Sequence, residues 1–202
     1  MRSVRPLPLI LLTLLGGCSI FSRPKNQFYQ LEIIPPAGAV AGVSGLPVGV
    51  DPIELPPEIV RNGIVVEQKD QKLDVRGTEQ WGAPFQEMFT HAIAFDLAAR
   101  LPEGMVVLPG QVKPPSGSMR PIGLNVARFA AGPGPVVVLD AHWILGGVSH
   151  HETIRVALQS LDTPDVVSGM SRAVGELADS IAAGLARDMA TRPLALAPHQ
   201  VP

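Results

Sequence analysis

One cysteine in 202 residues sets the terms on which this chain folds. With Cys18 alone no intrachain disulfide can form, so the core must hold by packing even in an oxidising compartment. Ending a leader before Cys18 leaves 185 residues, enough for one domain with a sizeable core. The 21 prolines and 20 glycines gather at the joints between periodic segments, where they punctuate a globular chain. Losing Arg2 and Arg5 with the leader leaves 14 basic against 18 acidic residues, so no basic patch for nucleic acid results.

The position of that cysteine is the second constraint. Arg2 and Arg5 precede an apolar run from Leu7 to Leu15, broken only by Pro8 and Thr13, in the layout of a secretory signal peptide. A membrane-spanning helix needs about 20 apolar residues, so this run is an address and not an anchor. Leu15, Gly16 and Gly17 before Cys18 resemble the lipobox of bacterial lipoproteins, whose cysteine is acylated and becomes the first residue. Ser19 stands where the lipoprotein pattern would place an aspartate for inner-membrane retention. The resemblance therefore implies the periplasmic face of the outer membrane. Each buried methylene contributes about 0.8 kcal/mol, so two or three acyl chains hold a protein durably. The alternative is an ordinary cleavage site with an incidental thiol.

Four segments follow: a signal peptide at 1–17, a lipidated tether at 18–27, one domain at 28–190, and a tail at 191–202 expected to be disordered. Phe28 to Ile34 reads as a strand closed by Pro35 and Pro36, and Ala37 to Leu46 as a loop. A second strand starts at Val48 and meets Pro52, which cannot donate to a ladder, so it ends, bulges or lies at an edge there. Val60–Glu67 and Leu73–Arg76 form a hairpin around Gln68–Lys72, with Arg61, Lys69, Asp70 and Lys72 in solvent. A helix spans Pro84 to Leu101, with Pro84 at its first position and Pro102 as its stop. Phe85, Met88, Phe89, Ala92, Ile93 and Leu97 share its apolar face.

Met105–Leu108 reads as a short strand, parallel to Val48–Val50 across the helix. Alternating runs from Ile122, Val136 to Leu145, and Thr153 to Gln159, separated by glycine turns, form a three-strand antiparallel meander. The last helix covers Val166 to Met189 with Asp165 as cap, and a stripe of Val166, Met170, Val174, Leu177, Ile181 and Leu185. Ala173, Ala178, Ala182 and Ala186 make it thin enough to pack closely. The fold class is α/β: a single domain with a mixed β-sheet, an antiparallel meander and two long packed helices.

Asp96 falls near the middle of the first helix's apolar face, where an ionised carboxylate is costly without a partner. It is expected to be a buried polar tie, to backbone N–H groups or to an arginine of a neighbouring loop. Asp140 and His142 point to one side of a strand, and His150 with His151 follows one turn later. Such a set suits zinc, yet no cysteine assists and the spacing matches no familiar metal motif, so no metal or cofactor is expected. Ser44 in GVSGL and Ser149 in GVSHH are not nucleophile elbows, and GPGP at 132–135 precedes a strand, so no helix N-terminus faces a phosphate there. No catalytic residue is expected.

The order of segments carries the positive signal. FYQL at 28–31, VGVDPIELPP at 48–57, the arginine and β run at 61–66, EQWGAPF at 79–85, AFDLAARL at 94–101, and VARF at 126–129 before VVLDAHWIL at 137–145 resemble the PqiC-like family. These are auxiliary lipoproteins of ABC-type, MCE-linked intermembrane transport systems. The resemblance runs from Gln27 to Ala190. In the tryptophan segment Glu79, Trp81 and Pro84 match, while Gln80 replaces the family's arginine and Ala83 its acidic residue.

The resemblance implies a non-enzymatic, outer-membrane-tethered periplasmic domain. It would dock an MCE-domain protein that reaches from an inner-membrane permease and ATPase, and a symmetric homo-oligomer fits such a partner. Trp81, exposed before its helix, and Glu54, Leu55 and Pro56 in the proline-stiffened segment are the candidate docking residues. Trp81 has an alternative role, stapling the helix start by packing on it. Two other functions stay open: a structural outer-membrane assembly lipoprotein, and a zinc-dependent periplasmic hydrolase built on Asp140, His142 and His150.

Overall fold

The computed structural model describes residues 25–36, 38, 40, 43–112, 114–115 and 117–191. The signal peptide, Cys18 and the tail beyond 191 lie outside them. The elements run β1 (Gln27–Tyr29), β2 (Val48–Glu54), β3 (Gly63–Glu67), β4 (Leu73–Trp81), α1 (Phe85–Arg100), β5 (Arg120–Ala131), β6 (Val136–Leu145), β7 (Val148–Ala157) and α2 (Thr163–Thr191). One mixed sheet of seven strands has the order β1-β4-β3-β5-β6-β7, with β2 also on β5. The mixed α/β class read from the sequence is the one observed.

The twelve-residue strand β5 organises this sheet. One edge takes β2 in parallel along Arg120–Asn125 and β3 in parallel at Ala131. The other edge takes β6 antiparallel, and β7 follows antiparallel on β6. Alternation sorts the residues of β6: Val137, Leu139, Ala141, Trp143 and Leu145 are buried, while His142 and Ile144 point outward. Both helices cover the buried face and pack on each other. The opposite face presents Asn125, His142, Ile144, His151 and Thr153 to solvent.

Three expectations shift in detail. β1 stops at Tyr29 and not at Ile34, because the next N–H groups leave the sheet for helix side chains. Glu32 N–H donates to Ser171 Oγ at 3.0 Å, and Ile34 N–H to Asp96 Oδ1 at 2.7 Å. Met105–Leu108 pairs parallel with β2 as read, but only through a bridge at Val48 and Val106, since proline and glycine follow at once. α2 starts three residues early, at Thr163, which leaves Asp165 in the first turn accepting from Ser160 Oγ at 2.9 Å. The hairpin stands as expected, closed by Gln68 N–H on Lys72 O at 2.7 Å, with β4 running on to Trp81.

α2 packs closely because it is thin at three glycines, Gly175 against Ile34 among them. A Cβ at Gly184 would fall onto the Trp143 ring, and one at Gly169 onto Leu158. Alanines alone did not account for the fit. Among the described residues no helix is long and apolar enough to cross a membrane.

Candidate docking surface

Pro52 lacks an N–H, and β2 answers with a bulge: its register on β5 shifts between Val50 and Ile53. Asp51 and Pro52 are turned outward, Ile53 enters the core and Glu54 returns to solvent. Glu54 Oε2 accepts from Asn125 Nδ2 at 2.7 Å. Leu55 is half-buried, while Pro56 is buried and its carbonyl takes Ile59 N–H at 3.2 Å. Of this candidate segment, Glu54 and part of Leu55 therefore face outward, on a base that Pro56 stiffens.

Trp81 is corrected. Its side is inward, with 6% of its surface exposed, and its ring lies 4.8 Å from that of Phe85. Phe85 in turn meets Phe89 and Phe129 at 6.4 and 6.0 Å, so the indole closes an aromatic cluster beneath the start of α1. This is the stapling role. Glu79, one of the family-matching residues beside it, is also used internally: its Oε2 accepts from Thr163 Oγ1 at 2.6 Å and pairs with Arg76 Nη1 at 3.3 Å. Arg76 also donates to Thr163 Oγ1 and Leu161 O, so this knot anchors the start of α2.

Gln86 joins the β2 segment to α1, its Nε2 donating to Ile53 O at 3.3 Å. On the other side of α1 lies a groove of about 600 Å³ between the helix and the extended segment Gln30–Ile33. Leu31, Ile33, Met88, Ala92 and Phe95 give it an apolar floor, and Glu32 and Glu87 stand at its rim. Helical periodicity placed Met88 on the core face. The groove forms where α1 faces the extended segment that follows β1, a long-range meeting that no local pattern encodes. A second apolar hollow, about 610 Å³, lies on the open sheet face between Leu46, Pro52, Pro121 and Ile144.

Asp96 is wholly buried and ties three elements. Oδ1 holds Ile34 N–H, and Arg100 Nη1 stands 3.7 Å away, one turn along the same helix and not on a loop. Arg100 donates from Nη1 to Ile34 O at 3.0 Å and from Nε to Asp179 Oδ1 of α2 at 2.6 Å. Among the described residues Asp96 Oδ2 has no hydrogen-bond partner. Burial pushes the Asp96 carboxyl up to about 6, against the pull of Ile34 N–H and Arg100. The group is structural: it fixes the segment after β1 against both helices.

The histidines separate by strand register. His142 stands opposite His151, and Trp143 opposite His150. His150 stacks on buried Trp143 at 3.8 Å, on the helix side, which removes it from the set Asp140, His142 and His150. His151 takes its place, with Nε2 2.7 Å from Asp140 Oδ1 and its ring 4.4 Å from that of His142.

The architecture has solved counterparts. One uncharacterized protein matches with a TM-score of 0.65 at 16% identity, over 80% of this chain and 99% of its own. Protein XCC0632 from Xanthomonas campestris matches with a TM-score of 0.60 at 16% identity, over 82% and 100%. At that identity these likenesses establish the fold alone. In sequence, the chain is 23% identical over 181 residues to the intermembrane transport lipoprotein PqiC of Escherichia coli K12, and equally to that of Shigella flexneri. Each match spans 89% of this chain and 94% of the relative. The family model for ABC-type transport auxiliary lipoprotein components covers residues 29–182, from the end of β1 into the last turns of α2. This chain belongs to the family of ABC-type transport auxiliary lipoprotein components.

Proposed function

We propose that this protein is the outer-membrane-anchored lipoprotein of an intermembrane transport system, a non-catalytic component that docks an MCE-domain protein linked to an inner-membrane permease and ATPase. The observation that carries the reading is the family match across the folded domain, behind a lipobox-like Leu15–Cys18. Nine residue steps lead from Cys18 to Gln27, so the acylated cysteine lies within about 31 Å of β1 even at full extension. Signal peptide 1–17, tether 18–27 and domain 28–190 follow from the same reading.

Docking falls to the surface that runs from Glu54 and Leu55, past Gln86, to the acidic rim of the α1 groove. Trp81 and Pro56 act behind it, holding α1 and the β2 segment in place. Lack of catalysis is supported by where the reactive groups lie: Asp140, His142 and His151 stand on the open sheet face, outside both apolar cavities.

A pulldown of the full-length lipoprotein from its own membranes in mild detergent, with mass spectrometry of what accompanies it, tests this reading. Recovery of an MCE-domain protein with its permease is expected, and its loss in Glu54→Arg/Leu55→Asp with an unchanged circular dichroism spectrum. Recovery of β-barrel components alone would identify a structural assembly lipoprotein and overturn the proposal.

A further inference from the structure

The open sheet face carries a group that the docking surface does not use. Asp140 and His142 are two residues apart on β6, so pleating puts both on the outward side, and the ladder sets His151 of β7 directly against His142. Their ligand atoms all lie within 4.8 Å of one another. We propose that Asp140, His142 and His151 form a binding site for one divalent transition-metal ion of the zinc type.

The donor set is two imidazoles and one carboxylate, the borderline ligands that zinc accepts. Tetrahedral ligands at about 2.0–2.1 Å from zinc stand about 3.4 Å apart, so the group closes by less than about 1.5 Å. His142 and His151 now stack with their planes 13° apart, which confines their in-plane lone pairs to two nearly parallel planes. One ring must turn about its Cβ–Cγ bond to aim at a shared ion. His151 has 53% of its side chain exposed, so it turns into solvent and not into the core.

Arg155 of β7 is diagonal to Asp140 on the same face, but the residues directly opposite the three ligands bring no unpaired positive charge. Arg128 is the cross-strand neighbour of Asp140 on β5, but its guanidinium pairs with Glu67 and leaves the Asp140 carboxylate to His151. Asn125 and Thr153, opposite His142 and Asp140, are neutral. Three protein ligands leave a fourth position facing outward, open to water or to a donor from another molecule. This site is independent of the docking reading, and nothing in it requires catalysis.

Calorimetric titration of the untagged full-length lipoprotein in detergent with Zn²⁺ tests it, followed by Co²⁺ absorption as a report of geometry. One ion per chain is expected. His142→Ala and His151→Ala should each weaken it by about tenfold or more. His150→Ala, on the helix side of the same strand, should leave affinity within about threefold. His151→Gln serves as a second variant, and circular dichroism confirms that each chain folds. Absence of saturable binding at one ion per chain overturns the site. So does binding that survives His142→Ala and His151→Ala unchanged.

Discussion

Asp96→Asn should make this protein more stable at neutral pH, and the gain should vanish in acid. The Asp96 carboxyl titrates near 6 in the folded chain against 3.8 as its ordinary value, because burial penalises the charged form. A raised carboxyl favours folding fully below the unfolded value, and that contribution is lost as pH rises through the folded value. The window is therefore pH 3.8 to 6. A difference of about 2.2 pKa units corresponds to about 3 kcal/mol between the two plateaus. Asparagine keeps an oxygen for Ile34 N–H, and Arg100 keeps Asp179 at 2.6 Å, so the knot survives the loss of charge.

The assay is thermal unfolding of both full-length proteins, followed by circular dichroism at pH values from 3.5 to 8. Groups that titrate alike in both chains cancel in the difference. The asparagine variant should gain on the wild type by about 3 kcal/mol between pH 3.5 and 7, or about 6–12 °C in Tm for a domain this size. A difference that stays flat across that window, or that grows towards acid, refutes the assignment of Asp96 as a strained buried charge.

Trp81→Ala should lower stability by about 3–5 kcal/mol, since it empties a buried aromatic contact, whereas Trp81→Phe should recover most of it. An unchanged Tm for the alanine variant would refute the stapling role. Gly184→Ala should destabilise by about 1–3 kcal/mol despite alanine's better helix propensity, because its Cβ meets the immobile Trp143 ring. Gly77→Ala, where a Cβ meets nothing, is the control for that comparison in the same unfolding experiment.

The features legible in the chain alone are local or periodic. The face of α1 with Phe85, Phe89, Ile93 and Leu97, the β3–β4 hairpin and the β5–β6–β7 meander depend on spacing and turn residues, which act over a few positions. Asp96 was legible too, because a carboxylate on an apolar face must find a partner, though not which partner. The order of segments also pointed to the family that the match over residues 29–182 establishes.

Other features depend on contacts between segments far apart in the chain. Trp81 sits next to a helix start, and its ring is buried against Phe85, which itself packs on Phe129 far along the chain. β1 ends at Tyr29 because Ser171 and Asp96, 139 and 62 residues away, compete for its next N–H groups. His150 and His151 are adjacent in the chain, yet pleating sends them to opposite faces of the sheet. Which of the two meets Asp140 depends on the β6–β7 register, and a shift of one residue would exchange them.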